Sequence, residues 1–371
     1  MHVVIVGGGI VGTAHALEAV RRGHHVTQFE REPEARGATP RSLGLVRVSG
    51  CAPYHLAGAH EARLLWEELG GKVPGLGFRA VGSVTVLRTP GELAVATEAA
   101  RRDDRFDLLE PDRVRAVNPA LRGNYLGGLY CADDAVIEAR QELPALHAYL
   151  DAMAGYEFRR DTAVLGIDTS GTPAVVHDDH GGVHTADLVV VCSGAEHAGL
   201  VRDLAGDLRV RRVRAMLLAT APLDEPFPTA VADGDSLRHH PAFAGDARDA
   251  LQHNESRAFA AAAHDVDLVC VPRVDGGLTI GCARNSTEPL DFDLTDAATQ
   301  YLTDTVAELL GRRLPPVTRR WSGEYSESKD PSALASRRQV GEHVWVVTGA
   351  GSRGLTMAPY VAHETAELAG M

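Results

Sequence analysis

His2-Val3-Val4-Ile5-Val6-Gly7-Gly8-Gly9-Ile10-Val11-Gly12 is the stretch from which the rest of the chain can be read. Residues 2–6 form a continuous apolar, β-branched run, the pattern of a strand buried on both faces of a parallel sheet. Gly7-x-Gly9-x-x-Gly12 follows, and Thr13 to Arg22 then carries Ala14, Leu17 and Val20 at helical spacing, with Gly23 as a stop. A second strand, His25-Val26-Thr27-Gln28-Phe29, ends in Glu30. This strand–helix–strand unit predicts a dinucleotide site. Gly7 allows the tight turn, Gly9 lets the backbone approach a pyrophosphate, and Gly12 permits close helix–strand packing. The first helical residues, Ile10 and Val11, present N–H groups and a positive dipole end to the phosphates. Glu30 is placed to accept hydrogen bonds from ribose hydroxyls, and its charge disfavours a 2′-phosphate.

Length and composition bound the rest. The 371 residues suggest two domains or one large one, and 44% hydrophobic with 23% charged residues excludes a disordered or fibrous chain. With 37 Lys+Arg against 50 Asp+Glu, the net charge of -13 argues against nucleic acid or an anionic membrane as partner. Lys72 and Lys329 are the only lysines, so an anion site must use guanidinium groups or backbone N–H, and Schiff-base chemistry is disfavoured. Cys51, Cys131, Cys192, Cys270 and Cys282 form no C-x-x-C pair and read as reduced thiols. With neither a signal-peptide pattern nor a long apolar span, a cytoplasmic protein is expected.

Helical spacing recurs over 55–70, 138–153 and 294–310, and short strands are expected at 82–87, 163–167 and 188–192. Residues 209–220 alternate charged and apolar side chains, predicting a strand whose wet face carries Arg211, Arg212 and Arg214. Residues 221–265, rich in Pro, Asp, His and Gly, read as a long irregular excursion. A hairpin is expected about Asp275-Gly276-Gly277. The chain closes with strand 344–347, the Gly-rich turn 349–354 and a helix to Leu368. His239, His240, His253 and His264 lack metal-ligand spacing, so no metal site is expected.

Beyond Glu30, Arg31-Glu32-Pro33 leads into Gly37-Ala38-Thr39-Pro40-Arg41-Ser42-Leu43-Gly44. Here the sequence resembles the flavin amine oxidoreductases that include D-amino acid oxidase, glycine oxidase and monomeric sarcosine oxidase. The resemblance covers essentially the whole chain. Residues 186–195 look like the family's second FAD-contacting strand and turn, and 271–281 like its substrate-domain hairpin. Gly349 to Pro359 looks like the turn and helix that face the flavin pyrimidine, where a positive dipole end stabilises reduced flavin. The resemblance implies an α/β fold: a Rossmann-like FAD-binding domain (1–78, 136–208 and 333–371) with an inserted α+β substrate domain on a mixed or antiparallel sheet (79–135 and 209–332). It implies non-covalent FAD, held by Gly7, Gly9, Ile10, Val11, Gly12, Glu30, Arg31, Thr39, Arg41, Ser42, Gly44, Val164, Ser193, Gly194, Gly351, Arg353, Gly354, Leu355 and Thr356.

The family removes hydride from the carbon beside a neutral amine, and its imine product hydrolyses in water. Flavin chemistry carries that step, so no acid or base residue is nominated. Trp321-Ser322-Gly323-Glu324-Tyr325 places Tyr325 where glycine-oxidase-like members hold an arginine for the substrate carboxylate. Thr279 stands where sarcosine-oxidase-like members hold a lysine that promotes the oxygen reaction. Arg47 matches an arginine that grips the substrate acid in such members. Arg238-His239-His240-Pro241-Ala242-Phe243 and the strand around Thr279 further resemble a subgroup associated with aminophosphonate breakdown. The expected substrate ligands are Arg47, Arg238, His239, Tyr325 and Arg353. The implied reaction is oxidation of 2-aminoethylphosphonate or its N-methyl derivative to phosphonoacetaldehyde, with O2 as acceptor and H2O2 released. Alternatives are a glycine/sarcosine-type oxidase, a flavin dehydrogenase with another acceptor, an NAD-dependent reductase and a non-enzymatic flavin-binding subunit.

Overall fold

The computed structural model describes residues 1–290 and 293–371. Its first sheet has six strands in the order Ser336–Val340, Val344–Thr348, Leu188–Val191, His2–Val6, His25–Phe29, Tyr156–Arg159. All neighbours run parallel except the outermost pair, Ser336–Val340 against Val344–Thr348. Val3, Val4 and Ile5 are fully buried because both faces of this sheet are covered. Val3 and Ile5 pack with Leu17, Trp66, Leu146 and Val361, from helices Ile10–Arg21, Leu56–Lys72, Glu142–Asp151 and Gly354–Ala369. Val4 and Val189 face Ala174, Val176 and Val201, from a three-stranded antiparallel sheet and helix Leu200–Ala205.

The second sheet has eight strands, ordered Val317–Ser328, Val210–Thr220, Leu278–Asn285, Val269–Pro272, Ala230–Asp233, Ser83–Leu87, Gly127–Cys131, Phe106–Leu109. Only Ala230–Asp233 beside Ser83–Leu87 is parallel, so the sheet is mixed. One face buries Met216, Leu218, Cys270 and Ile280 under Leu302, Val306 and Leu309 of helix Asp296–Leu310. The opposite face turns Ala230, Ala232, Val269 and Val271 towards Leu45 and Val136, which pair in a short ladder between the two sheets.

Two expectations need correction. Residues 221–265 are not a bare loop: they hold strand Ala230–Asp233 and helices Asp246–Asn254 and Phe259–Ala263. The strand is buried at all four positions, so it shows no alternation by which it could be recognised. Val210–Thr220 is wet only along its first half, since Ala215 to Thr220 are all buried. Arg211 and Arg212 are exposed, on opposite faces, and pair with Glu327 and Glu288, whereas Arg214 is largely buried and pairs with Glu324, so the three do not share one wet face. Helix Pro90–Arg102, which hydrophobic spacing alone does not reveal, starts with a Thr89/Glu92 capping box and Pro90 in its first turn.

Candidate active site

The glycine turn is a cradle without room for side chains. Gly7 has φ +116°, a Cβ there would strike the Cys192 carbonyl, and one on Gly12 would strike the Gly7 carbonyl. Gly9 is the N-cap of helix Ile10–Arg21, and the Ile10 N–H donates to Thr39 Oγ1 at 3.1 Å. Glu30 accepts from the N–H groups of Gly8 (2.8 Å) and Glu32 (3.1 Å). Beside the cradle, the Ser193 hydroxyl is buried without a hydrogen-bond partner, and Gly194 (φ +60°) accepts from the Thr348 hydroxyl at 2.6 Å. Thr162, two residues before Val164, donates its N–H to the Glu30 carbonyl at 2.9 Å. Arg31 is exposed, 3.9 Å from Glu196.

From Thr39 the chain runs as a strap towards the second sheet. The Ser42 hydroxyl accepts from Gly44 N–H at 3.1 Å, and a Cβ on Gly44 (φ +68°) would strike the Ile137 carbonyl. Arg273 donates to the carbonyls of Leu43 (2.7 Å) and Ile137 (2.9 Å), pinning the strap to the hairpin. Trp321 Nε1 donates to the Arg41 carbonyl at 3.0 Å, and the Arg41 guanidinium lies 3.4 Å from the Ser322 carbonyl. The strap ends at the last helix, where Arg47 N–H donates to Thr356 Oγ1 at 2.9 Å. Trp66 Nε1 donates to the carbonyls of Leu355 (3.2 Å) and Thr356 (3.3 Å), locking the start of that helix. Gly351 (φ +65°) makes the turn before Gly354. Arg353 reaches the Ala333 carbonyl at 3.4 Å and leaves Nη1 buried and unpartnered.

The Arg47 side chain leaves Thr356 behind and enters the second sheet's charged cluster. Its Nη2 donates to Ser236 Oγ (3.1 Å), while Nη1 lies 2.7 Å from His240 Nε2 and 3.8 Å from Asp267 Oδ1. Asp267 Oδ2 is 3.0 Å from the same His240 nitrogen. Burial alone would raise the Asp267 pKa, but His240, Arg47 and Arg284 hold it well below the usual carboxylate range. Burial, then Arg47, pushes His240 down to about 4, so its ring is neutral at pH 7. His239 sits between Arg257 Nη2 and Arg284 Nη2, each 3.1 Å from one ring nitrogen. Tyr325 lies beside Cys282 and Arg284, and burial followed by Cys282 pushes its hydroxyl pKa up.

Of the expected substrate ligands, the structure gathers Arg47, His239 and Tyr325 around this cluster. Arg238 is corrected: it donates to the carbonyls of Leu251 and Glu255 (3.0 Å each) and pairs with Asp235 (2.9 Å). Its guanidinium is therefore committed to anchoring helix Asp246–Asn254. Arg353 stands apart from the cluster, next to Cys51 and His55. Asp267, Arg284, Ser236 and Arg257 escape the sequence reading, because sheet register, not spacing along the chain, brings them together. Among the described residues no group of His, Cys, Asp and Glu could hold a metal, and no helix is long and apolar enough to cross a membrane.

A family model described as DAO, FAD dependent oxidoreductase, matches residues 2–368. The chain belongs to this family. A D-amino acid dehydrogenase of Dechloromonas aromatica (strain RCB) is 27% identical over 276 residues, covering 57% of this chain and 66% of that protein. A glycine oxidase of Geobacillus kaustophilus (strain HTA426) is 28% identical over 245 residues, covering 60% of this chain and 62% of that protein. These two matches thus span somewhat less than two thirds of each relative. The crystal structure of glycine oxidase from Geobacillus kaustophilus has the same fold at TM-score 0.76 and 21% identity, covering 99% of this chain and 94% of that one.

The cofactor of this DAO-family oxidoreductase is FAD, and the cradle fits it. A diphosphate is met by the positive end of a helix dipole where the backbone can come close, and helix Ile10–Arg21 begins at the N-cap Gly9, which puts no side chain in the way. The buried, unpartnered Ser193 hydroxyl supplies a polar group still needing a partner. Glu30 supplies a carboxylate at the end of the second strand, suited to ribose hydroxyls.

Proposed function

We propose that this protein oxidises an amine bearing an anionic tail. Bound FAD supplies the hydride acceptor. The observation that carries the reading is Arg47: its main chain is tied to the start of the last helix at Thr356, and its guanidinium lies among Ser236, His240 and Asp267. One residue can therefore hold the tail at a set distance from that helix end. Holding the tail fixes where the C–H bond sits, and positioning is the main task left to the protein in such chemistry. No residue of the cluster is assigned as acid or base.

For the tail we propose a phosphonate, as in 2-aminoethylphosphonate or its N-methyl derivative, yielding phosphonoacetaldehyde. Guanidinium and imidazole donors arranged in three dimensions suit a tetrahedral oxyanion. A second reading, a carboxylate as in glycine or sarcosine, is favoured by the relatives named glycine oxidase and D-amino acid dehydrogenase. We further propose non-covalent FAD, O2 as acceptor, a cytoplasmic location, and a division into an FAD-binding unit (1–78, 136–208, 333–371) and a substrate unit (79–135, 209–332). The test is anaerobic mixing of the purified protein with N-methyl-2-aminoethylphosphonate and, separately, sarcosine. Loss of the flavin band with either establishes amine oxidation and tells the tails apart. A flavin that neither compound reduces, nor glycine, overturns the reading.

A further inference from the structure

Behind the glycine turn runs a chain of polar side chains from four elements: Thr13 of helix Ile10–Arg21, Gln28 of strand His25–Phe29, His147 of helix Glu142–Asp151 and Tyr156 of strand Tyr156–Arg159. Gln28 is fully buried, and its Nε2 donates to the Gly7 carbonyl at 2.8 Å. Its Oε1 accepts from the Tyr156 hydroxyl at 2.6 Å. That bond fixes which way the amide lies, because the reverse orientation would set two acceptors, Gln28 Oε1 and the Gly7 carbonyl, against each other. Thr13, also buried, places its hydroxyl 3.2 Å from the Gly8 carbonyl and 2.9 Å from His147 Nε2. Burial, then Arg160, pushes the His147 pKa down to about 4, so the ring is neutral at pH 7. With its proton on Nε2 it donates to Thr13 Oγ1, and the Thr13 hydroxyl donates on to Gly8. The Phe158 ring, its centroid 4.2 Å from that of His147, packs against this network.

In a trans peptide the C=O and the next residue's N–H point in opposite directions, so a bond that holds one end aims the other. The Gly7–Gly8 peptide shows this: with its carbonyl on Gln28, its N–H reaches Glu30 on the other side at 2.8 Å. The Gly8–Gly9 peptide is held likewise, its carbonyl on Thr13, so the Gly9 N–H is aimed away from Thr13. Among the described residues that N–H has no hydrogen-bond partner, and it stands at the N-cap of helix Ile10–Arg21. A run of three glycines needs such holding, because glycine takes left- and right-handed backbone conformations about equally well. A flipped Gly8–Gly9 peptide would present a carbonyl oxygen to a diphosphate in place of an N–H. Stability alone is served as well by apolar side chains behind the turn, since burying polar groups costs desolvation that their hydrogen bonds largely offset. We infer that Gln28 and Thr13 are positioning residues for FAD. Backed by Tyr156 and His147, they hold the carbonyls of Gly7 and Gly8 turned inward and so keep the Gly9 N–H set for the diphosphate before the cofactor arrives.

The experiment compares the FAD-loaded wild type with Gln28→Met, Thr13→Val and Thr13→Ser. The FAD Kd is read from the flavin fluorescence released on serial dilution, and melting is followed over a range of added FAD. Met and Val roughly keep the shape of the side chains they replace and lose the donors, whereas Ser keeps the hydroxyl. A hydrogen bond to a charged partner is worth about ten- to hundredfold in affinity, so Gln28→Met and Thr13→Val should each raise the Kd about tenfold or more. Thr13→Ser should stay within about threefold of the wild type, because the hydroxyl that holds Gly8 is still there. A raised Kd lowers the melting temperature where FAD is in excess and leaves the low-FAD limit unmoved. A merely structural role lowers it equally at every FAD concentration and leaves Kd unchanged. That second pattern in Gln28→Met and Thr13→Val overturns the inference. So does a Thr13→Ser that loses FAD as readily as Thr13→Val, since the hydroxyl would then not be what holds the turn. If Gln28→Met does not fold, the two Thr13 variants decide the matter between them.

Discussion

Replacing Arg47 with lysine separates what its charge does from what its shape does. The guanidinium donates to Ser236, meets His240 and lies 3.8 Å from Asp267. Arg47→Ala would strand the buried Asp267 carboxylate, at a cost of roughly 3–5 kcal/mol, and so mix folding with binding. Lysine keeps a cation near Asp267 but loses the planar fork, so stability should fall by only about 1–2 kcal/mol, one ordinary hydrogen bond or two. A tail gripped bidentately loses about 1.5–3 kcal/mol, which is about 10- to 150-fold in Kd. FAD content should not change, because the tie to Thr356 is made by the main-chain N–H. The limiting rate of flavin reduction should stay within a factor of about three, since Arg47 holds the tail and not the reacting carbon. Anaerobic stopped-flow reduction over a range of amine concentrations gives Kd and the limiting rate together. An unchanged Kd in folded, yellow Arg47→Lys would refute the assignment.

Other outcomes follow from the same geometry. Gly12→Ala puts a methyl group into the Gly7 carbonyl, so FAD affinity should fall at least about tenfold, and full flavin occupancy in the purified variant would contradict the cradle. Arg238→Met removes two carbonyl hydrogen bonds and the Asp235 pair, so it should lower stability by about 2–4 kcal/mol while leaving substrate Kd unchanged; the reverse pattern would return Arg238 to the pocket. Glu92 is buried at the start of helix Pro90–Arg102, and burial raises its pKa from 4.5 to about 6. The folded state therefore holds that proton more tightly than the unfolded chain, and the stability it contributes is full below pH 4.5 and lost as pH rises through about 6. Glu92→Gln should escape that loss, about 2 kcal/mol, and denaturation curves of equal pH dependence in both proteins would refute it.

The parts of this fold that can be read from sequence are those whose causes are local. The opening strand–turn–helix and the closing one announce themselves through β-branched runs, glycines and helical spacing within thirty residues. Strand Ala230–Asp233 does not, because its reason for being a strand is Ser83–Leu87 on one side and Val269–Pro272 on the other. The pair Arg238-His239 shows the same limit within two residues. They sit at the end of the 3-10 turn Gly234–Arg238, from which Arg238 reaches helix Asp246–Asn254 while His239 reaches Arg257 and Arg284. Adjacent residues were expected to act together, and the turn sends them apart. Asp267 is hidden for a related reason: its backbone pairs with Cys282 in both directions, at 2.7 and 2.9 Å, a partner that only the hairpin's register can supply.

Register also explains how a cation comes close to Tyr325, which stands where the family resemblance leads one to expect an arginine. In the antiparallel ladders, Arg284 lies opposite Ala215, and Ala215 opposite Gly323, so the three share one face of the sheet. Tyr325, opposite Val213 one step along, shares that face too. The space over Gly323 is filled by Arg41, and the Arg284 guanidinium turns instead to Asp265 and His239, close enough to Tyr325 for its charge to be felt there. Positive charge thus arrives at this position from two strands away instead of from the strand that carries the tryptophan motif. This arrangement depends on the irregularity between Met216 and Leu217, where the pairing with Leu278–Asn285 shifts. Because side chains alternate along a strand, without that shift Arg284 would point to the opposite face, into the apolar layer formed with helix Asp296–Leu310. The bulge therefore does more than relieve the sheet locally: it brings the Arg284 cation to the face where its neighbours are Asp265, His239 and Tyr325.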